Sequence, residues 1–419
     1  MNLLIFAGAG TSVELGVPAM VGMAREFLLH CQQWNVEPDL VERLMSGELD
    51  IEYLIESLDK ICEAKHPLQI IADVTSRLSS VDTVRSEVEW FVQHMAERVT
   101  RGDAHLMWGA IIAACKAHDI TFVTTNYDRG IELAANAGGI HLKDGFEQFS
   151  GSEIATWTGF SSSTDYPTLI KLHGSTDWYS ESVSSAPIKL RHPMPLFGRG
   201  SLMLSSGVRL GSALILPSRE KLLTKPPYPR LSQAFLNASD ICEAAVFVGS
   251  SLRDIHIHDA AKNIAEHRPV FIANPTADTP EVKNAKYITE PASYFLMSTL
   301  PSALSQSDPL IILELHSNTD KPQNNGIMEL VRRACDKQEE TKHRCAAIDG
   351  LDKLSVRLGK NHIDPLLHDA DSTVSRYSLG LVSTSPDKDV LVTSAETSPH
   401  NEDASFVDEL NLLKQLVAK

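Results

Sequence analysis

The stretch from residue 1 to residue 18, MNLLIFAGAGTSVELGVP, constrains the fold most, because an apolar run leads into a glycine-rich turn and then into an amphipathic segment. The run is long enough for a buried parallel strand. Gly8 and Gly10 permit a close backbone approach, and hydroxyls and amides follow at a helix start. The stretch predicts a strand, a helix and, between them, a phosphate-binding turn made by Gly8, Ala9, Gly10, Thr11 and Ser12.

This first turn departs from two well-known phosphate-binding patterns. Val13 stands where the dinucleotide fingerprint has its third glycine, and no lysine follows as a P-loop requires. On its own, the turn is therefore also compatible with an ordinary tight connection between a strand and a helix.

Three later turns also follow apolar runs: TTNYD at 124–128, KLHGS at 171–175 and VGSS at 248–251. Ligands of open α/β sheets bind at the carboxyl ends of strands, which gives Asn126 and His173 a physical reason to be functional. The alternatives are that Asn126 only caps the following helix and that His173 is a buried histidine bonded to backbone. A further strand over 269–273 is predicted to end at Asn274.

The order of these turns, with GAGTS first, resembles the sirtuin-like NAD-binding superfamily over about residues 1–300. The resemblance is closest to the bacterial sirtuin-like branch that degrades NAD in anti-phage defence. It implies an α/β fold with a Rossmann-like parallel sheet, a helical insertion over about 36–118, and turns that surround one NAD molecule. Residues 301–419 are predicted to form a separate, smaller C-terminal α/β or α+β region, with a strand over 310–315.

The resemblance also implies roles for individual residues. Asn126 and His173 would do the chemistry, and Asp128 would contact the nicotinamide amide. The cofactor-binding residues implied are Gly8, Ala9, Gly10, Thr11, Ser12, Pro18, Asp128, Gly249, Ser250, Ser251 and Asn274.

The activity implied is hydrolysis of NAD+ to nicotinamide and ADP-ribose. Sirtuin deacetylases place acidic, Phe and Arg residues after a GIP-type turn, whereas this chain has Ala19, Met20 and Val21 after Pro18. Water is then favoured over an acyl oxygen as the nucleophile. Protein deacylation, ADP-ribosyl transfer and a catalytically silent NAD or ADP-ribose sensor remain as alternatives.

Cysteine spacing argues against zinc. The six cysteines lie at 31, 62, 115, 242, 335 and 345, and no two are spaced as a zinc half-site. The four-cysteine module of sirtuin deacetylases is therefore absent, and we expect reduced, mostly buried thiols. Helical periodicity fills 40–115 instead, with one apolar face at Ile51, Leu54, Ile55, Leu58, Ile61 and Cys62 and another at Val84, Val88, Phe91 and Met95.

Charge and apolar patterning restrict the partners. A net charge of −16 argues against a broad nucleic-acid surface. No apolar run reaches the ~18 residues of a membrane span, and no basic region precedes the first strand, so we expect a cytoplasmic protein. An amphipathic last helix with Phe406, Leu410, Leu413 and Val417, after a polar segment over 383–403, predicts assembly contacts. The resemblance adds a homo-oligomer and a HerA-type ring ATPase as partners.

Overall fold

The computed structural model describes residues 1–34, 51, 54, 55, 58, 72–148, 152–160, 166–181, 185–190, 201–203, 209–214, 227–275, 279–317, 333–353, 360–382, 385 and 387–417. Its strands are β1 (Asn2–Ala7), β2 (Asp119–Thr124), β3 (Phe146–Gln148), β4 (Ile154–Trp157), β5 (Thr168–Lys171), β6 (Trp178–Ser180), β7 (Ile188–Leu190), β8 (Ser201–Met203), β9 (Arg209–Ser212), β10 (Ala244–Val248), β11 (Val270–Ala273) and β12 (Lys286–Ile288).

Six of the described strands form a parallel sheet in the order β12-β11-β10-β1-β2-β5. The middle strands are apolar runs buried on both faces, as parallel strands covered by helices on two sides require. The chain first adds β2 and β5 on one side of β1, and then returns to add β10, β11 and β12 on the other side. The strand order therefore reverses between β1 and β10, and the predicted Rossmann-like sheet is confirmed.

The helices of the described residues begin with α1 (Ala9–Val13), α2 (Met20–Trp34), α3 (Ala72–Ala96), α4 (Arg101–Ala114), α5 (Gly130–Gly138), α6 (Tyr228–Ile241) and α7 (Ile255–Ala265). They continue with α8 (Ala292–Tyr294), a π-helical turn (Phe295–Thr299), α9 (Leu300–Leu304), α10 (Pro309–Leu315), α11 (Thr341–Lys353), α12 (Lys360–Leu367), α13 (Ser372–Val382), α14 (Lys388–Ala395) and α15 (Ala404–Val417). None of them, within these ranges, combines the length and apolar character needed to cross a bilayer.

The helical stretch between β1 and β2 follows the predicted periodicity. Ile51, Leu54, Ile55 and Leu58 are fully buried, and the second face, on α3, is buried as well. Both faces join one apolar cluster with β1, β2 and α4, so this helical stretch covers one face of the parallel sheet. Ile61, Cys62 and the acidic residues between 48 and 56 lie outside the described residues.

A second sheet is antiparallel, in the order β3-β4-β7-β6-β9-β8. Residues 180–212 are rich in Ser, Gly, Pro and Arg, a composition that predicts a long surface excursion, followed by a predicted strand over 213–216. The excursion needs correction; of the predicted strand, residues 213 and 214 are not in a strand, and 215 and 216 lie outside the described residues. Strands β7, β8 and β9 lie inside the supposed excursion, and β9 ends at Ser212. These strands have only three or four residues and lack a continuous apolar run, so periodicity gives almost no signal for them.

The described part of the C-terminal region is helical, which differs from the predicted α/β or α+β arrangement. The predicted strand over 310–315 falls within α10. Asp308 caps that helix by accepting a hydrogen bond from the Leu310 amide (3.2 Å), and Pro309 occupies its first position. This start signal outweighs the short apolar run that suggested a strand. Likewise, α14 lies within the supposed polar segment over 383–403.

The last helix, α15, packs on its own chain. Phe406, Leu410 and Leu413 are at most 5% exposed and belong to an apolar cluster formed by residues between 334 and 413, which we call the C-terminal cluster. The expectation that this face needs a partner surface is therefore wrong, because helices α11 to α14 already cover it. Assembly through other surfaces remains a prediction.

Leu410→Ala is expected to lower the free energy of unfolding by about 2–5 kcal/mol, because it removes buried methyl groups and leaves a cavity in the C-terminal cluster. Leu315→Ala is the matched control, since Leu315 is 75% exposed, and should change stability by no more than about 0.5 kcal/mol. Urea unfolding followed by circular dichroism measures both. Equal effects of the two substitutions would contradict the packing described for α15.

Candidate functional site

The turns that follow β1 and β10 lie in direct backbone contact. The Gly8 amide donates to the Val248 carbonyl (2.9 Å), and the Gly10 amide donates to the Gly249 carbonyl (2.8 Å). A Cβ on Gly8 would lie 2.5 Å from the Ser250 Cα, and Gly249 itself has a φ of +59°. Glycine is thus required for this approach. The two turns form one surface at the reversal of strand order, where open α/β sheets bind ligands.

Helix α1 turns its hydroxyls toward the interior of this surface. The Thr11 hydroxyl donates to the Gly8 carbonyl (2.8 Å), and the Ser12 hydroxyl donates to the Asp128 carboxylate. Both side chains are buried, as is Asp128. Asp128 also accepts a hydrogen bond from the Gly130 amide (2.8 Å) at the start of α5. One carboxylate therefore joins the first turn to the TTNYD turn.

Asn126 bridges the same two turns through its side-chain amide. Its Nδ2 donates to the Gly8 carbonyl and to the Thr11 hydroxyl oxygen, both at 2.9 Å. Helix α5 begins at Gly130 with no side-chain cap on Arg129, so Asn126 does not cap that helix. The capping alternative is wrong, and the carbonyl oxygen Oδ1 is the atom of this amide left to accept from a ligand.

His173 lies immediately after β5, the strand that pairs with β2. It is 7% exposed, and its ring centroid is 6.5 Å from that of Tyr127 in the TTNYD turn. Gly174 has a φ of +86°, and a Cβ there would lie 2.3 Å from the Ala213 carbonyl oxygen. The backbone can make this bend beside His173 only with glycine.

Lys171 fixes the two turns that carry Asn126 and His173. It is 1% exposed, and its ammonium group donates to the Asp128 carbonyl, to the Tyr127 carbonyl (3.4 Å) and to the Ser175 hydroxyl (2.9 Å). The Glu132 carboxylate lies 3.0 Å away and balances the charge. A buried cation that satisfies several carbonyls at once holds their relative positions tightly.

Lys171→Met is expected to lower the free energy of unfolding by about 3–5 kcal/mol, because Glu132 would keep a largely buried charge without its partner. Lys286→Met is the matched control on the same sheet. The Lys286 side chain pairs with Glu314 at 30% and 49% exposure, so its loss should cost about 0–1 kcal/mol. Thermal and urea unfolding measure both variants. If Lys171→Met lowered the free energy of unfolding as little as Lys286→Met, the buried pair of Lys171 and Glu132 would not stabilise the fold.

Helix α3 reaches this region from the helical stretch. The Gln93 amide, 3% exposed, donates to the Thr176 carbonyl (2.9 Å), and the Thr176 amide donates to the Tyr127 carbonyl (3.1 Å). Burial raises the pKa of Glu97, and nearby Arg129 partly offsets that rise. Helix α3 of the helical stretch therefore contacts the turn that follows His173.

A buried charge cluster lies beneath the same turn. Asp177 is 3.7 Å from Lys189 and 3.9 Å from Arg129. Burial alone would raise the pKa of Asp177, but Lys189, Lys171 and Arg129 outweigh it and hold the pKa below its ordinary value. Asp177 therefore stays ionised at neutral pH and anchors the start of β6.

The turn after β10 carries a strained residue. Leu252 is buried and has a φ of +51°, a conformation that a leucine adopts only when its surroundings enforce it. The Leu252 amide donates to the Ser250 hydroxyl (3.2 Å), and the Asn274 amide group donates to the Ser250 carbonyl (2.8 Å). Asn274, after β11, thereby joins the VGSS turn. Pro18 is buried further along the chain, between α1 and α2.

A comparison with protein families finds one match. Residues 120–289 match the family model described as SIR2-like domain. This part of the chain is similar to the SIR2-like domain. The match contains the TTNYD, KLHGS and VGSS turns, and it supports the sirtuin-like NAD-binding superfamily. No curated protein matches the chain.

The chain is also similar to solved Sir2 structures, at low sequence identity and low TM-score. A Sir2 homologue bound to NAD is 14% identical, with a TM-score of 0.43, and the alignment covers 72% of this chain and 88% of that one. A Sir2 homologue mutant bound to 2′-O-acetyl-ADP-ribose is 16% identical, with a TM-score of 0.41, covering 73% and 94%.

Sequence reasoning missed three buried polar residues around the site, Lys171, Asp177 and Gln93. Lys171 belongs to the KLHGS turn, but nothing in the turn's sequence indicates that its side chain is buried against the TTNYD turn. Asp177 and Gln93 come close to the site only in the folded chain. Asp254 caps α7 by accepting a hydrogen bond from the His256 amide (3.0 Å). Within the described ranges, no three His, Cys, Asp or Glu side chains are grouped as a metal site requires.

Proposed function

We propose that the protein hydrolyses NAD+ to nicotinamide and ADP-ribose. The observation that carries the proposal is the junction at the reversal of strand order, where Asn126 bonds to the glycine-rich turn and His173 lies in the turn after β5, the strand that pairs with β2. The family-model match over 120–289 supports the same class of ligand. Both observations concern residues that the sequence singled out.

The turns after β1 and β10 bind the pyrophosphate of NAD+ in this proposal. The amides of Gly8, Gly10 and Thr11 already donate within the protein, so they shape the turn and leave contact with the phosphates to other groups. Those groups are the Ala9 amide and the hydroxyls of Ser250 and Ser251, each of which can donate one hydrogen bond. The hydroxyls of Thr11 and Ser12 donate to the Gly8 carbonyl and to Asp128, and so support the turn from within. A site made of backbone and hydroxyls suits a protein with a net charge of −16.

Asn126 and His173 divide the chemistry between them. Asn126 Oδ1 accepts from a ribose hydroxyl or from the attacking water, and so orients it. The water oxygen bonds to C1′ of the nicotinamide ribose, the C1′–N bond breaks, and its electron pair leaves with neutral nicotinamide. His173 takes the proton that the water loses, a step that general-base catalysis accelerates by about 10²–10⁴. Asp128, held by Ser12, faces the nicotinamide amide.

Product analysis separates this activity from the alternatives. The purified protein is incubated with NAD+ alone, and nicotinamide and ADP-ribose are quantified by chromatography. Equal release of both without a peptide is expected. Turnover only in the presence of an acylated peptide, with an acyl-ADP-ribose product, would favour deacylation, and turnover only with an acceptor protein that becomes labelled would favour ADP-ribosyl transfer. Tight NAD+ binding without any turnover would identify a sensor.

We further propose that the enzyme depletes NAD as an effector of anti-phage defence in the cytoplasm. This role follows from the resemblance of the motifs, and it requires restraint, because continuous hydrolysis would kill the host. A homo-oligomer and a HerA-type ring ATPase are the proposed partners. The native mass of the protein, measured alone and after co-expression with a ring ATPase, tests both partners. A protein that is monomeric alone and does not bind the ATPase would refute both proposals.

A further inference from the structure

A salt bridge connects the C-terminal region to the helix that carries the glycine-rich turn. Arg333 Nη1 lies 3.1 Å and 3.0 Å from the two carboxylate oxygens of Glu14, and 3.2 Å from the Ser293 hydroxyl. The side chains are 9% and 10% exposed. We propose that Arg333 is a positioning residue through which the C-terminal cluster controls the geometry of the glycine-rich turn and, if the proposed function holds, the affinity for NAD+.

Glu14 is well placed to transmit such control. It caps the carboxyl end of α1, a helix of only five residues that includes Thr11 and Ser12. Its amide bonds back to the Gly10 carbonyl (3.4 Å), and the Val17 amide bonds to the Ser12 carbonyl (3.0 Å). Because the helix is so short and its ends are bonded to its own turn, a displacement of Glu14 displaces the hydroxyls beside the site.

Breaking the pair has a structural cost, because each charge is largely withdrawn from water. Removing Arg333 leaves the Glu14 carboxylate largely buried without its partner, and removing Glu14 leaves Arg333 with only the more distant Glu339 carboxylate, 3.8 Å from its Nε. Both states are unfavourable, and a displacement of α1 relieves them. The contact joins residues separated by 319 positions, so it reports directly on how the C-terminal cluster sits against the parallel sheet.

A second contact in the same interface supplies a control. The Tyr377 hydroxyl on α13 donates to the Glu26 carboxylate on α2, which also pairs with Arg98 at 3.1 Å. This contact also joins the C-terminal region to a helix that follows β1, but it does not involve α1. Tyr377→Phe keeps the ring and removes one hydrogen bond.

Regulation through Arg333 would change the affinity for NAD+ without changing the residues that carry out the reaction. A partner or a second copy that shifts the C-terminal cluster would move Arg333, and with it Glu14, without contacting Asn126 or His173. Such coupling changes ligand affinity by about 5- to 150-fold in typical cases. Arg333 would thus act on binding, not on the proton transfer.

Calorimetric titration of NAD+ into the full chain tests this, with His173→Ala present in every variant so that no NAD+ is consumed. Arg333→Met and Glu14→Gln should each weaken binding by about tenfold, within the range of such couplings. The double variant should be no weaker than either single one, because the two side chains act as one unit. Tyr377→Phe should change the affinity less than twofold. Additive losses, or equal losses in the control, would overturn the proposal.

Amide hydrogen exchange of the ligand-free protein gives a readout that does not depend on the proposed function. Residues 8–17 should exchange faster in Arg333→Met and in Glu14→Gln than in the parent or in Tyr377→Phe. Unchanged exchange in both variants would overturn the positioning role. If NAD+ binds none of the proteins while exchange changes as expected, the proposed function fails and the positioning role stands.

Discussion

His173→Ala is expected to lower the rate of NAD+ consumption at least about a hundredfold while leaving NAD+ affinity within a few-fold of the parent. The proposed base acts only as the water attacks, whereas the pyrophosphate turns hold the ground state. The side chain is 7% exposed at the end of β5, and its neighbour Gly174 fixes the backbone, so truncation at Cβ should not alter the path of the chain.

Release of nicotinamide gives the rate, and calorimetry gives the affinity. His267→Ala is the control, because that side chain is 77% exposed and lies at the end of α7, away from the site. It should behave as the parent in both measurements. Near-normal turnover of a folded His173→Ala protein would remove His173 from the mechanism.

Gly8→Ala is expected to weaken NAD+ binding at least about a hundredfold, because misaligning two hydrogen bonds to the charged pyrophosphate costs about 1.5–3 kcal/mol each. Its Cβ would lie 2.5 Å from the Ser250 Cα and 2.6 Å from the Gly249 carbonyl oxygen, both of them backbone atoms that cannot rotate away. The turns after β1 and β10 must then separate. Overpacking of this kind should also lower the free energy of unfolding by about 1–3 kcal/mol.

Gly102→Ala isolates this steric effect from the general cost of replacing glycine. A Cβ there would meet only the Thr100 hydroxyl oxygen at 3.8 Å, an ordinary contact in the first turn of α4. Its NAD+ affinity should equal that of the parent, and its stability should be equal or slightly higher. Normal binding by Gly8→Ala would mean that the two turns do not form one surface.

The sequence alone predicted the elements of the fold that are marked by long apolar runs or by apolar residues at helical spacing. The parallel strands β1, β2, β5 and β10 were predicted from their apolar runs, and the turns that follow them lie on one edge of the sheet because parallel strands place all carboxyl ends together. The buried faces of the helical stretch were predicted by their spacing. These features depend on local pattern and on a topology that admits few alternatives.

Sequence reasoning failed where the outcome depends on contacts between distant residues. The second sheet is made of strands too short for a readable period, and the helix α10 was taken for a strand because its cap was overlooked. Lys171 pairs with Glu132 and Arg333 pairs with Glu14, both in other elements, and the sequence around each residue does not indicate its partner. The roles of Asn126, His173 and the turn residues remain predictions.

The position of β1 in the middle of the parallel sheet has a consequence for how the protein is made. Leu3 pairs with Ile120 on one side and with Ala244 on the other, so β1 is synthesised well before either of the strands that it pairs with. Such long-range pairing is intrinsically slow. A nascent chain that has not yet reached β10 lacks half of the surface around Gly8, and an unfinished copy of the proposed enzyme would therefore be harmless to the cell that is making it.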